Sequence, residues 1–247
     1  MIAISDVPCR SDRRALLASA AALLIGCAAV SPQGSGASKA AGNAVVVPLE
    51  SGEGLQLLGA RAEPVTYQGR RAIRLDPLEG PAAGTAPLAI VRDLQLADGE
   101  IDLQVAGAPR PGERADMRGF IGLAFHVSPD GSRYENLYLR PSNGRAEDQL
   151  RRNHAVQYQS SPDFSWKRLR DESPGQYESY VDLQPGVWTR MRVRVSGTRA
   201  ELYVDGAEQP CLIVRDLRLG ATGGGVALWT DPTTEAYFRD LRVRRAH

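Results

Sequence analysis

The 247-residue sequence is poor in cysteine and histidine, and each shortage excludes a type of site. Its three cysteines, Cys9, Cys27 and Cys211, are too few for a disulfide framework. Its three histidines lie far apart and lack the spacing of metal ligands. The sequence therefore predicts a domain that is stabilised by its own hydrophobic core, without a histidine or cysteine metal site.

Neither sign of charge is in excess, because 30 lysine and arginine residues stand against 29 aspartate and glutamate residues. Lysine is almost missing, with Lys39 and Lys167 as its only representatives, so arginine supplies nearly all of the positive charge. No basic block is separated from acidic neighbours, so the chain lacks the electrostatic footprint of a nucleic-acid binder. We expect no nucleic-acid partner.

An apolar run at residues 15–26 follows Arg13 and Arg14. It is too short to cross the ~30 Å hydrocarbon core of a membrane at ~1.5 Å per residue, and it predicts an export signal instead. The paired arginines also resemble a twin-arginine signal, although ordinary signal peptides carry such pairs too.

Residues 24–27, Leu-Ile-Gly-Cys, resemble the lipobox of bacterial lipoproteins. The resemblance implies a signal peptide at residues 1–26 and acylation of Cys27. The protein would then be attached to the periplasmic or outer-membrane side of the cell envelope through the lipid alone. Cleavage by ordinary signal peptidase near residues 37–41 is the alternative, and it would release a soluble protein.

Small and polar residues dominate residues 27–44, which we interpret as a flexible tether. The remaining residues, 45–247, are enough for one large domain. Loss of the leader removes Cys9 and acylation consumes Cys27, so Cys211 is left without a cysteine partner.

Two hairpins stand out in this domain. Period-two alternation along residues 120–127 predicts a strand with one buried face, and residues 133–140 return as its partner after a turn at residues 128–132. A second hairpin joins residues 188–195 to residues 200–204. The residues predicted to face the core in the first strand are Ile121, Leu123, Phe125 and Val127.

Further strands are predicted at residues 72–75, 88–92, 100–106, 154–159, 211–217, 226–230 and 236–244. No amphipathic helix of useful length is evident, apart from one turn near residues 146–151. Many short strands with Gly and Pro between them indicate an all-β, two-sheet antiparallel sandwich.

The sequence Gly-Gly-Gly-Val-Ala-Leu-Trp at residues 223–229, followed by residues 236–243, resembles the closing strands of concanavalin A-like lectin and glucanase jelly rolls. Residues 188–193 and 200–206 show the same resemblance, which implies a jelly-roll sandwich. Within that superfamily the chain is most similar to bacterial exported laminin-G-like and 3-keto-disaccharide hydrolase domains. Membership there would imply cleavage of glycosides oxidised at C3, although no catalytic signature can be matched residue by residue.

The carboxylate pattern of the glucanases in this superfamily is incomplete here. Glu100 and Asp102 begin a Glu-x-Asp-x-(x)-Glu pattern, but Gln104 or Val105 stands at the position of the second glutamate. Retaining hydrolysis needs two carboxyl groups ~5 Å apart, and an amide cannot replace either of them. We therefore interpret Glu100 and Asp102 as ordinary polar residues of a strand.

Residues 134–180 interleave aromatic rings with guanidinium, amide and carboxylate groups, a mixture that suits the apolar faces and polar edges of a sugar. In the first hairpin, Gly122 and Ala124 would form the floor of a trough on the face turned away from the core. The predicted substrate-binding residues of this trough are His126, Tyr134, Asn136, Tyr138, Arg140, His154, Gln157, Tyr158 and Trp166.

Within the trough, Tyr138 is expected to stack on a sugar ring, while Asn136 and Arg140 hydrogen-bond its oxygens. Each residue also has a structural interpretation. Tyr134 and Tyr138 can form a stabilising cross-strand pair, and Arg140 can pair with a carboxylate of the following loop. Trp166, placed in a loop, is equally compatible with a stacking lid and with a local packing contact.

For a hydrolase, Glu135 and Asp148 are the candidate general acid and base. Glu135 shares the parity of the core-facing residues but lies near the strand start, where its carboxylate is expected to reach solvent. The sequence identifies no cofactor, and the presence of a metal stays open. A calcium ion is conceivable through groups such as Asp130, Asp163 or Asp231, but no dense acidic loop selects a site.

Three functions are compatible with these observations, and the first two have a glycan or modified glycoside as partner. The first is a lipid-anchored hydrolase of a modified glycoside such as a 3-keto-glycoside, with Arg140 polarising a carbonyl or oxyanion. The second is a non-catalytic carbohydrate-binding module of the cell envelope. The third is a structural envelope protein whose partner is another protein.

Overall fold

The computed structural model of the protein describes residues 44–78 and 86–246, which form fifteen β-strands and two short α-helices. The helices are α1 (Gln149–Asn153) and α2 (Trp166–Glu172). The strands, in chain order, are β1 (Val45–Val47), β2 (Leu55–Leu58), β3 (Ala60–Tyr67), β4 (Arg70–Pro77), β5 (Leu88–Leu96), β6 (Gly99–Pro109), β7 (Ile121–Val127), β8 (Tyr134–Leu139), β9 (Val156–Ser161), β10 (Glu178–Ser179), β11 (Thr189–Ser196), β12 (Arg199–Val204), β13 (Leu212–Val214), β14 (Gly224–Thr230) and β15 (Thr234–Arg245).

The strands form two sheets, in which every pair of neighbours is antiparallel. Sheet A has the order β13-β12-β11-β6-β15-β4-β3, with β1 also paired to β15. Sheet B has the order β10-β9-β8-β7-β14-β5-β2. The predicted all-β, two-sheet antiparallel jelly-roll sandwich is therefore confirmed, and so are both predicted hairpins, β7-β8 and β11-β12.

Alternating apolar residues from the two sheets meet in one core. Leu123 and Leu137 pair across β7 and β8 in sheet B, while Met191 and Val193 of β11 and Phe238 of β15 approach from sheet A. All five are buried. Each fully buried side chain of this size contributes roughly 1.5–3 kcal/mol relative to an exposed one, so the core stabilises the domain without a disulfide.

The outer face of sheet A is polar and carries the two acidic residues of the incomplete glucanase pattern. Arg190 donates hydrogen bonds to both carboxylate oxygens of Asp102, at 3.0 Å to Oδ1 and 2.5 Å to Oδ2. Glu100 accepts from Arg194 at 3.0 Å and from Arg244 at 2.9 Å. Both carboxylates are thus engaged in ion pairs along β6, as ordinary polar residues of a strand.

One part of the predicted alternation is wrong, at the end of β7. His126 has a left-handed backbone conformation with φ of 51°, and the pairing of β7 with β14 shifts register at this point. The resulting bulge reverses the parity, so Val127 packs on the outer face of sheet B with Tyr134 rather than in the core between the sheets.

Four strands and a helix were missed by the sequence analysis. β1, β2, β3 and the two-residue β10 lie at sheet edges or pair over short stretches, and their period-two pattern is weak. Helix α2 replaces the loop predicted around Trp166. Within the described part of the chain, neither helix is long and apolar enough to cross a membrane. The predicted signal peptide, the lipidation site Cys27 and the first seventeen residues of the tether lie outside the described residues.

Candidate functional site

The outer face of sheet B is filled at its centre rather than open. Gly122 is in register with Trp229 of β14 on one side and with Tyr138 of β8 on the other. The two rings meet above it with centroids 4.9 Å apart. A methyl group at Gly122 would lie 2.2 Å from the carbonyl oxygen of Leu137, so only glycine fits between the strands.

This packing changes the expected role of several trough residues. Tyr138 is 1% exposed and Tyr134 is buried in the same apolar cluster, so neither ring presents a face to a ligand. Burial raises the pKa of Tyr138. Asn136 is completely buried, and neither atom of its amide has a hydrogen-bond partner among the described residues. Gln157 is also buried and donates to the backbone oxygens of Tyr158 and Tyr177. These buried residues form the floor of the trough and do not face a ligand.

Arg140 follows β8 and lies where the floor meets the surface. Its guanidinium carbon is 5.3 Å from the ring centre of Tyr138, 5.8 Å from that of Phe120 and 5.6 Å from that of Trp166. One of its Nη atoms donates to the Tyr138 hydroxyl at 3.0 Å. The side chain is 6% exposed. Such a buried cation requires both a counter-charge and hydrogen-bond acceptors.

Glu178 provides that counter-charge. It lies on β10 opposite Gln157, and its carboxylate is 3.9 Å from the Arg140 guanidinium. It accepts hydrogen bonds from Arg170 at 3.0 and 2.5 Å and lies 3.0 Å from Nε2 of His154. One buried carboxylate is therefore shared by two arginines and a histidine.

The surroundings of His154 disfavour its protonated form. Burial lowers its pKa, as do the charges of Arg170 and Arg140, while the carboxylate of Glu178 acts in the opposite direction. Nε2 is the ring nitrogen that faces the Glu178 carboxylate.

A cleft of about 670 Å³ opens beside these groups. We call it the Arg140 cleft, and its lining includes Phe120, Arg140, Asp148, His154 and Trp166. It therefore contains four of the residues proposed from the sequence: Arg140, Asp148, His154 and Trp166.

Helix α2 brings Trp166 to the cleft. Ser165 caps the helix by accepting a hydrogen bond from the backbone N–H of Arg168, and Trp166 occupies the first helical position. Arg170, one turn later, places its guanidinium 4.9 Å from the Trp166 ring centre. The indole is 41% exposed, so one part of the ring packs against arginines and another is open to the cleft.

Glu135 and Tyr158 lie on the opposite side of sheet B from the cleft, in the core between the sheets. The Glu135 carboxylate accepts from the Tyr158 hydroxyl and from the backbone N–H of Leu219, both at 2.7 Å. Tyr158 in turn accepts from the backbone N–H of Arg218 at 2.9 Å, and burial raises its pKa. The expectation that Glu135 reaches solvent is wrong, because its parity determines its face even near the strand start.

Asp148 lies apart from Glu135. Its carboxylate caps α1 by accepting from the backbone N–H of Arg151 at 2.6 Å, at the border of the Arg140 cleft. Sheet B separates it from Glu135, so the two carboxylates do not flank a common glycosidic bond as an acid/base pair requires.

His126 is also removed from the trough by the bulge in β7. Its Nε2 lies 2.9 Å from the backbone oxygen of Ala97, and it borders a separate, smaller cleft of about 210 Å³.

Two of the aspartates considered for calcium, Asp130 and Asp231, accept hydrogen bonds within turns. Asp130 accepts hydrogen bonds from Ser128 and Ser132, which lowers its pKa to about 2. Asp231 accepts from the backbone N–H of Thr233 at 2.9 Å. Among residues 44–78 and 86–246, no three acidic, histidine or cysteine side chains come together as metal ligands.

The charged residues of this region that were not predicted from the sequence include Arg118 and Glu178. Arg118 reaches the cleft because the segment before β7 packs on the turn after β8, where the backbone N–H of Ser142 donates to the Arg118 oxygen at 3.1 Å. Glu178, on the short strand β10, contacts the cleft residues His154 and Arg170. Neither position carries a pattern in the sequence that would have identified it.

No protein-family model and no curated protein matches the chain. It is similar to a solved protein of unknown function with a galectin-like fold from Bacillus subtilis, with a TM-score of 0.54, 13% identity, and coverage of 81% of this chain and 94% of that one. The chain adopts the concanavalin A-like jelly-roll fold.

Two further jelly rolls are similar over most of their length. The carbohydrate-binding module CBM66 from Bacillus subtilis gives a TM-score of 0.52 at 11% identity, covering 77% of this chain and 95% of that one. A protein from Parabacteroides distasonis, provisionally named a glycosyl hydrolase, gives 0.51 at 11% identity, covering 82% and 100%. At these identities the similarity establishes the jelly roll alone.

The position of Glu135 predicts a structural role for this residue. In Glu135→Gln the shape is kept, but one of the two donors, Tyr158 or Leu219, loses its acceptor, so the free energy of unfolding should fall by about 1–3 kcal/mol. Chemical denaturation measures this loss. Glu53→Gln, at an exposed loop position, is the matched control and should stay within about 0.5 kcal/mol. Unchanged stability of Glu135→Gln would show that the buried carboxylate has no structural role.

Proposed function

We propose that this protein is a carbohydrate-binding domain whose ligand occupies the Arg140 cleft. The observation that carries the proposal is the combination, in one cleft of about 670 Å³, of a half-exposed indole with fixed guanidinium groups. A sugar has apolar faces that stack on such a ring and hydroxyl oxygens that accept from such donors. The similarity to a carbohydrate-binding module supports the same class of ligand.

The donors of this cleft are held in place before a ligand arrives. Arg140 is fixed by the Tyr138 hydroxyl and by three aromatic rings, and Arg170 by three hydrogen bonds to Glu178. Binding to such side chains costs little additional conformational entropy. The geometry therefore favours recognition over catalysis, in agreement with the separation of Glu135 from Asp148.

We predict that Trp166→Ala weakens glycan binding by roughly tenfold or more, because burying a large aromatic side chain contributes ~1.5–3 kcal/mol and ~1.4 kcal/mol is a factor of ten. Tyr180→Ala is the matched control, since this ring is 46% exposed and does not line the cleft. The measurement is isothermal titration calorimetry of the domain from residue 42 to residue 247, after a glycan array has selected ligands. Equal losses in the two variants would place the binding site elsewhere.

A second candidate function is hydrolysis of a 3-keto-glycoside, favoured by the contact between His154 and Glu178 at the cleft. A neutral imidazole oriented by a carboxylate can accept a proton from an attacking water. We predict that His154→Gln abolishes release of 3-keto-glucose from 3-keto-trehalose or 3-keto-glucosides, with the unoxidised sugars as controls. If the unmodified protein releases no 3-keto-glucose, the hydrolase proposal is wrong and the binding proposal is unaffected.

We also propose that Cys27 is acylated and attaches the domain to the cell envelope. The basis is the lipobox-like sequence at residues 24–27. In bacterial cells, Cys27→Ala should move the protein from the membrane fraction to the soluble fraction and remove the lipid mass from its N-terminal peptide in mass spectrometry. A mature N-terminus at residues 37–41 in the unchanged protein would contradict acylation.

A further inference from the structure

The Arg140 cleft carries more positive charge than its own carboxylates neutralise. Four arginines line it, Arg118, Arg140, Arg151 and Arg170, but only two aspartates, Asp116 and Asp148. This excess is local, because the complete chain has a formal net charge of only +1.

The nearby carboxylates are engaged elsewhere. Asp116 pairs with the exposed Arg114 at 2.6 Å, and Asp148 caps α1 through a backbone N–H. Glu178 is shared between Arg170 and the more distant Arg140.

Two of the arginines therefore lack a carboxylate partner within the cleft. Among the described residues, no carboxylate oxygen lies within 4.0 Å of the guanidinium groups of Arg118 or Arg151. One Nη atom of Arg118 and the Nε atom of the buried Arg140 are inaccessible to solvent and have no hydrogen-bond partner in the same ranges. Burial lowers the pKa of Arg118, and the charges of Arg151 and Arg140 lower it further, while the charge of Asp116 acts in the opposite direction. The positive charges of Arg118, Arg140 and Arg151 are thus held close to one another.

Arg151 is held rigidly, in contrast to an ordinary surface arginine. Its Nε donates to the Asn143 side chain at 3.0 Å and one Nη donates to the Ser142 backbone oxygen at 3.1 Å. Asn143 in turn donates to the backbone oxygen of His154 at 2.9 Å. Neither acceptor of Arg151 carries a charge, so its hydrogen bonds fix its position without neutralising it.

We propose that the Arg140 cleft selects a glycan with an anionic group, and that Arg118 and Arg151 bind that group. This inference rests on the proposed function and names its ligand class. A carboxylate, as in a uronic acid, and a sulfate ester both offer oxygens that match the forked donors of arginine. The sugar ring stacks on the exposed part of Trp166. The anion supplies the counter-charge that the cleft lacks.

The first arm of the test is a glycan array that contains neutral, uronic-acid and sulfated oligosaccharides, probed with the intact domain. Binding should be confined to anionic members, and the uronic-acid and sulfated arms identify which oxyanion is preferred. Raising NaCl should weaken this binding, because added salt screens the ion pairs formed. Binding of neutral glycans with equal affinity would overturn the anionic inference and leave the proposed function intact. Absence of any glycan binding would overturn both.

The second arm uses variants, with affinity for the best anionic ligand measured by calorimetry. Arg118→Gln and Arg151→Gln should each lower this affinity roughly 10- to 100-fold, the effect of losing a charge-assisted contact. Arg242→Gln is the matched control, since Arg242 is exposed and does not line the cleft. Arg151→Lys keeps the positive charge but loses the planar pair of N–H donors that the guanidinium offers to an oxyanion, so we expect an intermediate affinity.

A folding defect is separated from a binding defect by thermal unfolding and by Trp166→Ala. Arg151 also supports Asn143, so Arg118→Gln, which removes no contact of that network, is the decisive variant. If Arg118→Gln unfolds at the same temperature as the unchanged protein and binds the anionic ligand equally well, the assignment is wrong. If Trp166→Ala weakens binding while both arginine variants do not, the cleft binds sugars but does not select their charge.

Discussion

The site depends on one buried carboxylate. Glu178 contacts Arg170 and His154 directly and lies 3.9 Å from Arg140, so it offsets the cost of removing these groups from water. Arg140 in turn donates a hydrogen bond to the hydroxyl of Tyr138 and packs against three aromatic rings. Glu178 lies on the two-residue strand β10. It thereby links the polar groups at the edge of sheet B to the apolar floor on the outer face of that sheet.

The position of the cleft follows from the way the outer face of sheet B is packed. Tyr138 and Trp229 close over Gly122, which leaves no room for a ligand at the centre of the face. Space remains at the end of β8, where helix α2 supplies Trp166 and the segment before β7 supplies Arg118. The jelly roll thus provides a rigid platform, while the ligand-facing groups come from its connections, where such groups are commonly found.

Period-two alternation was sufficient to predict both hairpins and most of the long strands, because each has one face in the core, but the eight-residue edge strand β3 was missed. It failed where local geometry intervenes. His126 adopts a left-handed conformation and shifts the parity of β7, and Trp166 starts a helix of only seven residues. Tyr158 was assigned to the outer face, but its pairing with Leu137 places it in the core. Arg118 joins the cleft through contacts with residues far along the chain, which no local pattern encodes.

The scarcity of lysine has a consequence for the environment in which the cleft works. Guanidinium groups stay protonated at any pH that a folded protein tolerates, so the charge contributed by the four cleft arginines is constant. His154 is the cleft side chain whose ordinary titration range lies nearest neutrality. A change of acidity would thus leave the arginine charge of the cleft in place and act through His154 and through the ionisation of an acidic ligand.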